Sequence, residues 1–433
     1  MNFLPKISLS MLVMVGIPMA SVPARAAQGN SYKLTCGKYA PSGYTSLEGS
    51  RYGKTLYGFD LMPSPEIING ACTSDHAFYV SVKEEEGNYL VTVVLGQGKH
   101  AAMTAVKAQA RRLMLLPTAT AAGQAVTKSF VVHIRTPYIS ATEHVHLKPR
   151  EIGDLDWDQK LTLEFTGTHP TLKSVTIAPV DVPTIYIAGD STVVDQQKAP
   201  WAAWGQMLPA FFNDKVSVAN EAESGETIRS FADEKRFDKV FSAIRAGDYL
   251  MIQFAHNDQK PGKGFVAIPA YKALLERYIA LARSKGAHPI LVTSMERRDF
   301  DKEDRIYNTL AGYPAAMREV AKQEHVPLID LNAMSFELFD AMGPEGTLKA
   351  FVHYPANTFP NQPRPLADNT HFTSYGAFEL AKCVVRGIRS DHLPIAKDIR
   401  KEIGFFHPKH PDPPNVLGLP ADPFVSAKTP YER

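Results

Sequence analysis

The 433-residue sequence carries 47 Lys and Arg residues against 45 Asp and Glu residues, so its formal net charge at pH 7 is only +2. This charge gives no broad attraction for a polyanion, and a nucleic-acid-binding protein is not indicated. Three cysteines are too few for a disulfide framework, and the length exceeds what one hydrophobic core usually covers, so we expect two domains.

The N-terminus has the features of an export signal. Lys6 supplies a basic start, an apolar run covers residues 7–17, and Ala-Arg-Ala at 24–26 is a small-residue cleavage site. We therefore predict a signal peptide over residues 1–26 and a mature protein that is secreted or periplasmic, with no stable membrane insertion after cleavage. The alternative is an uncleaved anchor, although the run is shorter than the about 20 apolar residues that span a bilayer.

Residues 27–180 form the first predicted domain. Their apolar runs are short and rich in β-branched and aromatic residues, and they show no helical period of useful length, which is typical of β-strands. Glu86-Gly87-Asn88 lies between two of these runs and provides turn chemistry. We therefore predict an all-β sandwich. The clearest predicted strands cover residues 77–82, 89–95, 112–115, 129–134 and 160–165.

The three cysteines leave one pairing open. Cys36 and Cys72 both fall in the first domain, and a disulfide between them could form in an oxidising compartment. Cys383 lies inside a predicted helix, where a buried and inert thiol is expected.

Two prolines interrupt residues 178–184, which we interpret as the connector between domains. Beyond it, short buried strands alternate with helical segments, a pattern that predicts a parallel sheet covered on both faces by helices. We predict a catalytic domain over residues 184–395 and a Pro-rich tail over 396–433 that extends along the surface or is partly disordered. The predicted strands cover residues 185–188, 216–219, 249–254, 289–293 and 327–330, and the clearest predicted helix covers 271–285.

Four polar blocks fall at the ends of predicted strands or, for the last, just before a predicted helix. The carboxyl ends of parallel strands share one edge of a sheet, so we expect these blocks to meet there. The blocks are Gly189-Asp190-Ser191, Asn220 to Gly225, Ala255 to Asp258, and Asp368 to His371.

The residue types in these blocks favour acyl transfer by a serine. A serine hydroxyl needs a base to become nucleophilic, and a histidine oriented by a carboxylate suits this role near neutral pH. We therefore predict Ser191 as nucleophile, His371 as base and Asp368 as the group that orients it. The backbone N–H groups of Ser191 and Gly225 and the side-chain amide of Asn257 are the predicted oxyanion-hole donors.

Each of these residues also has an ordinary structural interpretation, as a helix cap, a turn glycine, an Asx turn or a surface pair. Their joint occurrence at one predicted sheet edge favours the catalytic interpretation. Because every candidate catalytic residue lies beyond Pro183, a chain that begins near Val182 is expected to keep activity on a small acetyl ester, provided that it folds.

The four blocks, in this order, resemble those of SGNH (GDSL-like) hydrolases, and in detail the rhamnogalacturonan acetylesterase branch, which is similar to carbohydrate esterase family 12. The resemblance extends over about residues 184–390 and includes Trp204-Gly205-Gln206. It implies a flavodoxin-like three-layer α/β/α domain that removes acetyl groups from pectic polysaccharide, with no metal or other cofactor. One departure is Ala255, where the branch usually carries glycine. The N-terminal region faintly resembles galactose-binding-like sandwiches.

Other functions have weaker support. An esterase or lipase acting on other acyl esters, or a non-catalytic carbohydrate-binding protein, are the alternatives to a pectin acetylesterase. Gly96-Gln97-Gly98 lacks the helix pattern of a dinucleotide-binding loop, and His144 and His146 have no further ligands nearby in the sequence that would complete a metal site. An acetylated polysaccharide is therefore the expected partner, and the sequence does not indicate an oligomeric state.

Overall fold

The computed structural model describes residues 29–430. The predicted signal peptide over residues 1–26 lies outside the described residues. Within the described part of the chain, no helix is both long and apolar enough to cross a bilayer.

The chain before Pro183 folds into two packed β-sheets. Its twelve strands are β1 (Tyr32–Thr35), β2 (Thr45–Ser46), β3 (Tyr57–Asp60), β4 (Glu66–Ile68), β5 (Ala71–Thr73), β6 (Phe78–Lys83), β7 (Gly87–Gly96), β8 (Ala102–Ala108), β9 (Arg112–Thr120), β10 (Ala125–Ile134), β11 (Lys160–Thr168) and β12 (Thr171–Pro179). One sheet has the order β10-β7-β12-β1-β2, with β5 beside β12 and β4 beside β5, and the other has the order β3-β6-β11-β8-β9. Every pair is antiparallel except β1 with β2.

Side-chain alternation fills the space between these two sheets. Along β7, each second residue from Tyr89 to Leu95 is buried, as expected for a strand with one face on a core. From the other sheet, Phe78 stacks on Phe165 in the same apolar cluster. A disulfide joins Cys36 to Cys72, which answers the question that the sequence left open.

The segment at 86–88 does not close a hairpin. The strands on its two sides, β6 and β7, belong to different sheets. The Glu-Gly-Asn turn chemistry that the sequence offers is therefore used to pass from one sheet to the other. Local turn propensity does not report which partner strand follows, because pairing depends on burial across the whole sandwich.

The chain after Pro183 forms a doubly wound α/β domain. Its parallel sheet has the order β14-β13-β15-β16-β17, which is the flavodoxin-like order 2-1-3-4-5. The α/β class with a parallel sheet, predicted from the sequence, is confirmed. The elements are β13 (Thr184–Gly189), α1 (Trp204–Met207), β14 (Ser217–Asn220), α2 (Ile228–Asp233), α3 (Arg236–Ala243), β15 (Tyr249–Gln253), α4 (Ile268–Ser284), β16 (His288–Val292), α5 (Tyr313–Gln323), β17 (Leu328–Ile329), α6 (Leu331–Ala350), β18 (Phe351–Tyr354), β19 (Leu366–Phe372) and α7 (Ser374–Ser390). Short 3₁₀ turns lie at Pro149–Glu151, Leu208–Phe211 and Pro394–Asp398.

Alternation along β13 separates the three layers. Ile185 and Ile187 enter an apolar cluster with α1, α6 and α7. Tyr186 and Ala188 point to the opposite face and enter a second cluster with α2, α3, α4 and α5. Both faces of the strand are buried, so its sequence is apolar throughout, as expected for a central parallel strand.

One segment differs from its sequence-based prediction. The block from Asp368 to His371, expected in a loop, lies in β19, which pairs antiparallel with β18. The end of the chain, predicted to extend along the surface or to be partly disordered, has no regular helix or strand over residues 401–430 and contacts both parts of the protein. We call residues 422–430 the C-terminal strap: Asp422 forms ion pairs with Lys107 and Arg111.

Buried ion pairs join the β-sheet part to the α/β part. Arg112, whose side chain is 1% exposed, donates from Nε to Asp195 Oδ2 at 2.8 Å. Further pairs across the boundary are Arg135 with Glu221, Lys148 with Glu226, Arg150 with Glu223, Arg236 with Glu151, and Lys239 with Glu86. The two parts therefore share one charged interface, and Leu113 of β9 also enters the apolar core of the α/β part.

Candidate active site

The loop that carries Ser191 begins where β13 ends. A Cβ on Gly189 would lie 2.6 Å from Val193 Cγ2, so only glycine permits this close return of the chain. Asp190 stabilises the turn, because its Oδ1 accepts hydrogen bonds from the backbone N–H and the hydroxyl of Thr192, at 2.9 and 2.7 Å. Ser191 therefore lies at the apex of a tight turn at the carboxyl end of a central strand.

A buried hydrogen-bond chain connects this turn to the rest of the domain. Gln253, the last residue of β15, donates from Nε2 to Thr192 Oγ1 at 2.8 Å. Its Oε1 accepts from the Trp204 indole, also at 2.8 Å. All three side chains are fully buried, and satisfied buried networks of this kind hold their members in one arrangement.

Ser191, His371 and Asp368 form a hydrogen-bonded series. The distance from Ser191 Oγ to His371 Nε2 is 2.8 Å, and His371 Nδ1 is 2.8 Å from Asp368 Oδ2. Ser191 and His371 are separated by 180 residues in the sequence, yet the fold brings them into direct contact. This is the geometry of a nucleophile, a base and an orienting carboxylate.

Asp368 is held as a carboxylate in a fixed orientation. Its Oδ1 accepts from the backbone N–H groups of Thr370 and His371, at 2.7 and 2.8 Å. Burial alone would raise the pKa of Asp368, but the hydrogen bonds from the His371 ring and from these backbone groups lower it below its ordinary value. Trp201 packs edge-on against the His371 ring, with centroids 5.7 Å apart.

The three expected oxyanion-hole donors each keep an N–H group available. Within residues 29–430, the backbone N–H groups of Ser191 and Gly225 donate no hydrogen bond. Asn257 Nδ2 donates one of its two hydrogens to the Glu226 carbonyl at 2.9 Å. Lys260 Nζ donates to Asn257 Oδ1 at 2.8 Å, which orients the amide so that its NH₂ group faces away from the lysine.

Gly225 has a backbone conformation that favours glycine. Its φ is +82°, in the left-handed region that side chains disfavour. The residue lies in a turn between β14 and α2, so the second block reaches the same edge of the sheet as the first.

Comparison with known proteins gives the chain its family. Residues 187–377 match the GDSL-like Lipase/Acylhydrolase family. Rhamnogalacturonan acetylesterase RhgT of Bacillus subtilis (strain 168) is 43% identical over 225 residues, which cover 52% of this chain and 97% of the relative. The chain belongs to this acylhydrolase family. The resemblance inferred from the four blocks is confirmed, and the protein is a carboxylic ester hydrolase.

Two further relatives accompany this match. Probable rhamnogalacturonan acetylesterase YesY of the same Bacillus strain is 36% identical over 223 residues, covering 50% of this chain and 98% of the relative. The crystal structure of protein YXIM of Bacillus subtilis is 26% identical, with a TM-score of 0.46, and covers 84% of this chain and 99% of the other. About half of the present chain lies outside its alignments to these two acetylesterases.

A cavity of about 1040 Å³ lies near the catalytic series of the acylhydrolase, although Ser191, Asp368 and His371 are not part of its wall. Gln196 lies on its wall and donates from Nε2 to the Ser191 carbonyl at 3.0 Å, and Leu366 on the same wall begins the strand that carries His371. Both parts of the protein and the C-terminal strap line this cavity. Its other wall residues include Arg135, Arg150, Trp157, Lys198, Ser224, Arg364 and residues 423–430.

Sequence reasoning missed the groups that support this site from a distance. Arg297 donates from Nη2 to the His256 carbonyl and from Nε to the Thr370 hydroxyl, and so connects the third and fourth blocks. Lys148 and Arg150, from the β-sheet part, contact the second block. No periodic or local signal marks these residues, because each acts across a long sequence separation. His144 and His146 lie with their rings 6.3 Å apart, and within the described residues no group of three metal-ligating side chains includes them.

Proposed function

We propose that the protein is a serine acetylesterase that removes acetyl groups from a pectic polysaccharide through an acyl-enzyme. The observation that carries the proposal is the hydrogen-bonded series of Ser191, His371 and Asp368 beside three available N–H donors. The relatives named as rhamnogalacturonan acetylesterases support the choice of substrate.

In the first half-reaction, Ser191 Oγ attacks the acetyl carbonyl carbon while its proton passes to His371 Nε2. The tetrahedral intermediate collapses, His371 gives this proton to the sugar oxygen, and the deacetylated sugar leaves with the acetyl group bound to Ser191. Asp368 remains ionised and stabilises the imidazolium. In the second half-reaction, a water attacks the acetyl-serine with His371 again as base, and acetate is released.

Charge develops on the carbonyl oxygen in both half-reactions. We propose that the N–H groups of Ser191 and Gly225 and the amide of Asn257 donate to this oxygen. Donors that need no rearrangement are effective in a site from which water is largely excluded, and Ser191 and Asn257 are both at least nine-tenths buried.

The cavity near the catalytic series supports a polymeric, acidic substrate. It is larger than an acetyl group requires, and exposed cations at Lys198, Arg364 and Lys428 lie on its wall. Four of the five wall carboxylates are already paired with arginines: Glu223 with Arg150, Asp195 and Asp156 with Arg112, and Glu151 with Arg236. A uronate-containing chain would therefore find cations rather than free carboxylates at these points.

We also propose that the two-sheet β part is a galactose-binding-like sandwich whose edge helps to hold the polymer. Trp157 lies on the cavity wall beneath the Arg135 guanidinium, at 4.3 Å from its ring centroid. The predicted signal peptide and the Cys36–Cys72 disulfide support export to the periplasm or the medium, where disulfides persist. Sequencing the N-terminus of the exported protein tests this, and Ala27 is the expected first residue.

Acetate release from acetylated rhamnogalacturonan is the direct test. We expect turnover of this polymer and of p-nitrophenyl acetate, and loss of both in Ser191→Ala with an unchanged melting temperature. Acetylated xylan and longer p-nitrophenyl acyl esters serve as matched substrates. Higher kcat/KM on the neutral xylan, or on long acyl chains, would favour one of the other ester hydrolases, and near wild-type turnover by Ser191→Ala would exclude the mechanism.

A further inference from the structure

Two cations from the β-sheet part converge on one backbone oxygen in the second block. Lys148 Nζ donates to the Ser224 carbonyl at 3.1 Å, and Arg150 Nη2 donates to the same oxygen at 2.5 Å. Ser224 is buried, so these bonds lie in a region of low dielectric constant, where they are stronger than in water. We infer that Lys148 and Arg150 are positioning residues that aim the Gly225 N–H into the oxyanion hole.

The geometry of one peptide unit carries this inference. The Ser224 carbonyl and the Gly225 N–H belong to the same planar peptide, which is trans, so the two groups point in opposite directions. Holding the carbonyl toward Lys148 and Arg150 therefore directs the N–H to the other side. That N–H donates no hydrogen bond within residues 29–430, as expected for a group reserved for substrate.

The conformation of Gly225 makes such a hold necessary. At φ +82° the glycine has no Cβ to restrict it, and a Cβ there would meet only Arg150 Nη2 at 4.0 Å. A glycine with this much space can rotate its preceding peptide at little cost. Two charge-assisted hydrogen bonds to the Ser224 carbonyl oppose that rotation.

Both cations are themselves held by neighbours. Arg150 Nε donates to Glu223 Oε1 at 2.9 Å, and Lys148 forms an ion pair with Glu226. The 3₁₀ turn Pro149–Glu151, which follows Lys148 and contains Arg150, is anchored because Glu151 pairs with Arg236. The acidic residues on the two sides of Ser224 and Gly225 therefore keep the cations in position over the carbonyl.

The cations also act through charge. A cation bound to a peptide oxygen withdraws electron density from the peptide and makes its N–H a stronger donor. The effect is largest when negative charge appears at the donor, which happens in the transition state and not in the bound substrate. Loss of the cations should therefore lower kcat and leave KM nearly unchanged. This inference rests on the proposed serine mechanism.

The test compares Lys148→Met, Arg150→Met and the double variant in the full-length protein, with p-nitrophenyl acetate as substrate. We expect kcat to fall by about tenfold in each single variant and up to about a hundredfold in the double variant, with KM within about twofold of wild type. Lys148→Arg, which keeps a cation near the carbonyl, should recover most of the loss. Phosphorylation of Ser191 by an organophosphate should slow in parallel with kcat, because its phosphoryl oxygen uses the same donors.

The matched control is Lys239→Met. Lys239 also crosses the boundary between the two parts, to Glu86, but does not contact Ser224. We expect it to lower the melting temperature without lowering kcat. Wild-type kcat in folded Arg150→Met and Lys148→Met, or an equal loss of kcat in Lys239→Met, would overturn the inference.

Two further variants keep the test decisive. If the double variant does not fold, the single variants and Lys148→Arg decide the matter. Ser191→Ala distinguishes failure of the serine mechanism from failure of the positioning role. Activity retained in Ser191→Ala refutes the serine mechanism. Activity that is lost in Ser191→Ala but unchanged in the Lys148 and Arg150 variants refutes only the positioning role.

Discussion

The β-sheet part and the α/β part carry opposite charges where they meet. Near the second block and the Ser191 loop, the β-sheet part supplies cations and the α/β part supplies carboxylates. These pairs are Arg112 with Asp195, Arg135 with Glu221, Lys148 with Glu226, and Arg150 with Glu223. In two other pairs, Arg236 with Glu151 and Lys239 with Glu86, the α/β part supplies the cation and the β-sheet part supplies the carboxylate.

This difference shows that the two parts are not independent, although every candidate catalytic residue lies in one of them. A buried carboxylate loses its hydration and needs a partner in exchange. Asp195 and Glu221, for instance, are almost fully buried, and cations of the β-sheet part pair with both. Without the β-sheet part these carboxylates would lose their cations and return to water.

The largest expected effect follows from removing the β-sheet part. The sequence predicts that a chain beginning at Val182 keeps activity on a small ester, provided that it folds. Such a chain should lose most of its stability, because a whole domain is stable by only about 5–15 kcal/mol. The cut removes the cations that pair with Asp195, Glu221, Glu223 and Glu226, and it removes Leu113, which packs in the apolar core of the α/β part. Circular dichroism and thermal unfolding measure the outcome, with a chain beginning at Ala27 as control. A cooperatively folded short chain with full kcat on p-nitrophenyl acetate would contradict it.

A single substitution in the C-terminal strap disturbs its contact with the β-sheet part. Asp422, whose side chain is 5% exposed, lies between Lys107 and Arg111. Asp422→Asn should lower the free energy of unfolding at neutral pH by about 1.5–3 kcal/mol, because Arg111 loses its carboxylate partner and keeps only carbonyl acceptors, whereas Lys107 keeps its ion pair with Glu164. Asp75→Asn, at an exposed aspartate, is the matched control and should change little. An unchanged melting temperature in Asp422→Asn would show that the strap is not a stabilising element.

The pH dependence of this effect has a definite sign. Burial alone would raise the pKa of Asp422, but Arg111 and Lys107 lower it well below its ordinary value. A lowered folded-state pKa contributes stability above the ordinary carboxyl pKa, and this stability is lost as pH falls toward the folded-state pKa. The difference between wild type and Asp422→Asn should therefore be complete at neutral pH and shrink in acid below about pH 4.

Substitution of Asn257 should separate chemistry from stability. Asn257→Ala removes one proposed oxyanion donor and should lower kcat by about a hundredfold to a thousandfold. It also removes the hydrogen bond to the Glu226 carbonyl, so a modest drop in melting temperature is expected. Steady-state kinetics on p-nitrophenyl acetate measure the first effect. Unchanged kcat in a folded Asn257→Ala protein would remove the amide from the oxyanion hole.

Features that depend on local sequence were predictable. The predicted strands at 185–188 and 249–254 correspond to β13 and β15, because buried parallel strands are short apolar runs on which turn residues follow directly. Ser191, Asn257 and His371 could be proposed because each follows or lies near such a run. The rule that parallel strands align their carboxyl ends predicts that the blocks of Ser191 and Asn257, after β13 and β15, lie at one edge. It does not cover His371, which lies in β19 outside the parallel sheet.

Features that depend on distant partners were not predictable. Arg150 and Ser224 are 74 residues apart, and Arg111 and Asp422 are 311 residues apart. A charged side chain has no periodic pattern that names its partner, so neither contact leaves a signal in one sequence. The strand character of β19 was missed for a related reason: Asp368 and Asn369 have low β propensity, and pairing with β18 makes this segment a strand.

The last expected effect concerns Asp258, which within residues 29–430 forms no ion pair of the kind that joins Asp195 to Arg112. Asp258 is fully buried, its Oδ1 accepts from the Ile228 N–H at 2.9 Å, and burial raises its pKa to about 7. A raised folded-state pKa gives stability that is present below the ordinary carboxyl pKa and is lost as pH rises toward about 7. Asp258→Asn keeps the acceptor but cannot ionise. The free energy of unfolding of wild type relative to this variant should therefore fall by up to about 1.4 kcal/mol per pH unit between about pH 4 and pH 7.

Parallel denaturant titrations at several pH values measure this slope. The free energy of unfolding of wild type relative to Asp75→Asn should show no such slope. Equal pH dependence in wild type and Asp258→Asn would show that Asp258 is ionised throughout, and that the α/β part tolerates a buried charge without help from the β-sheet part.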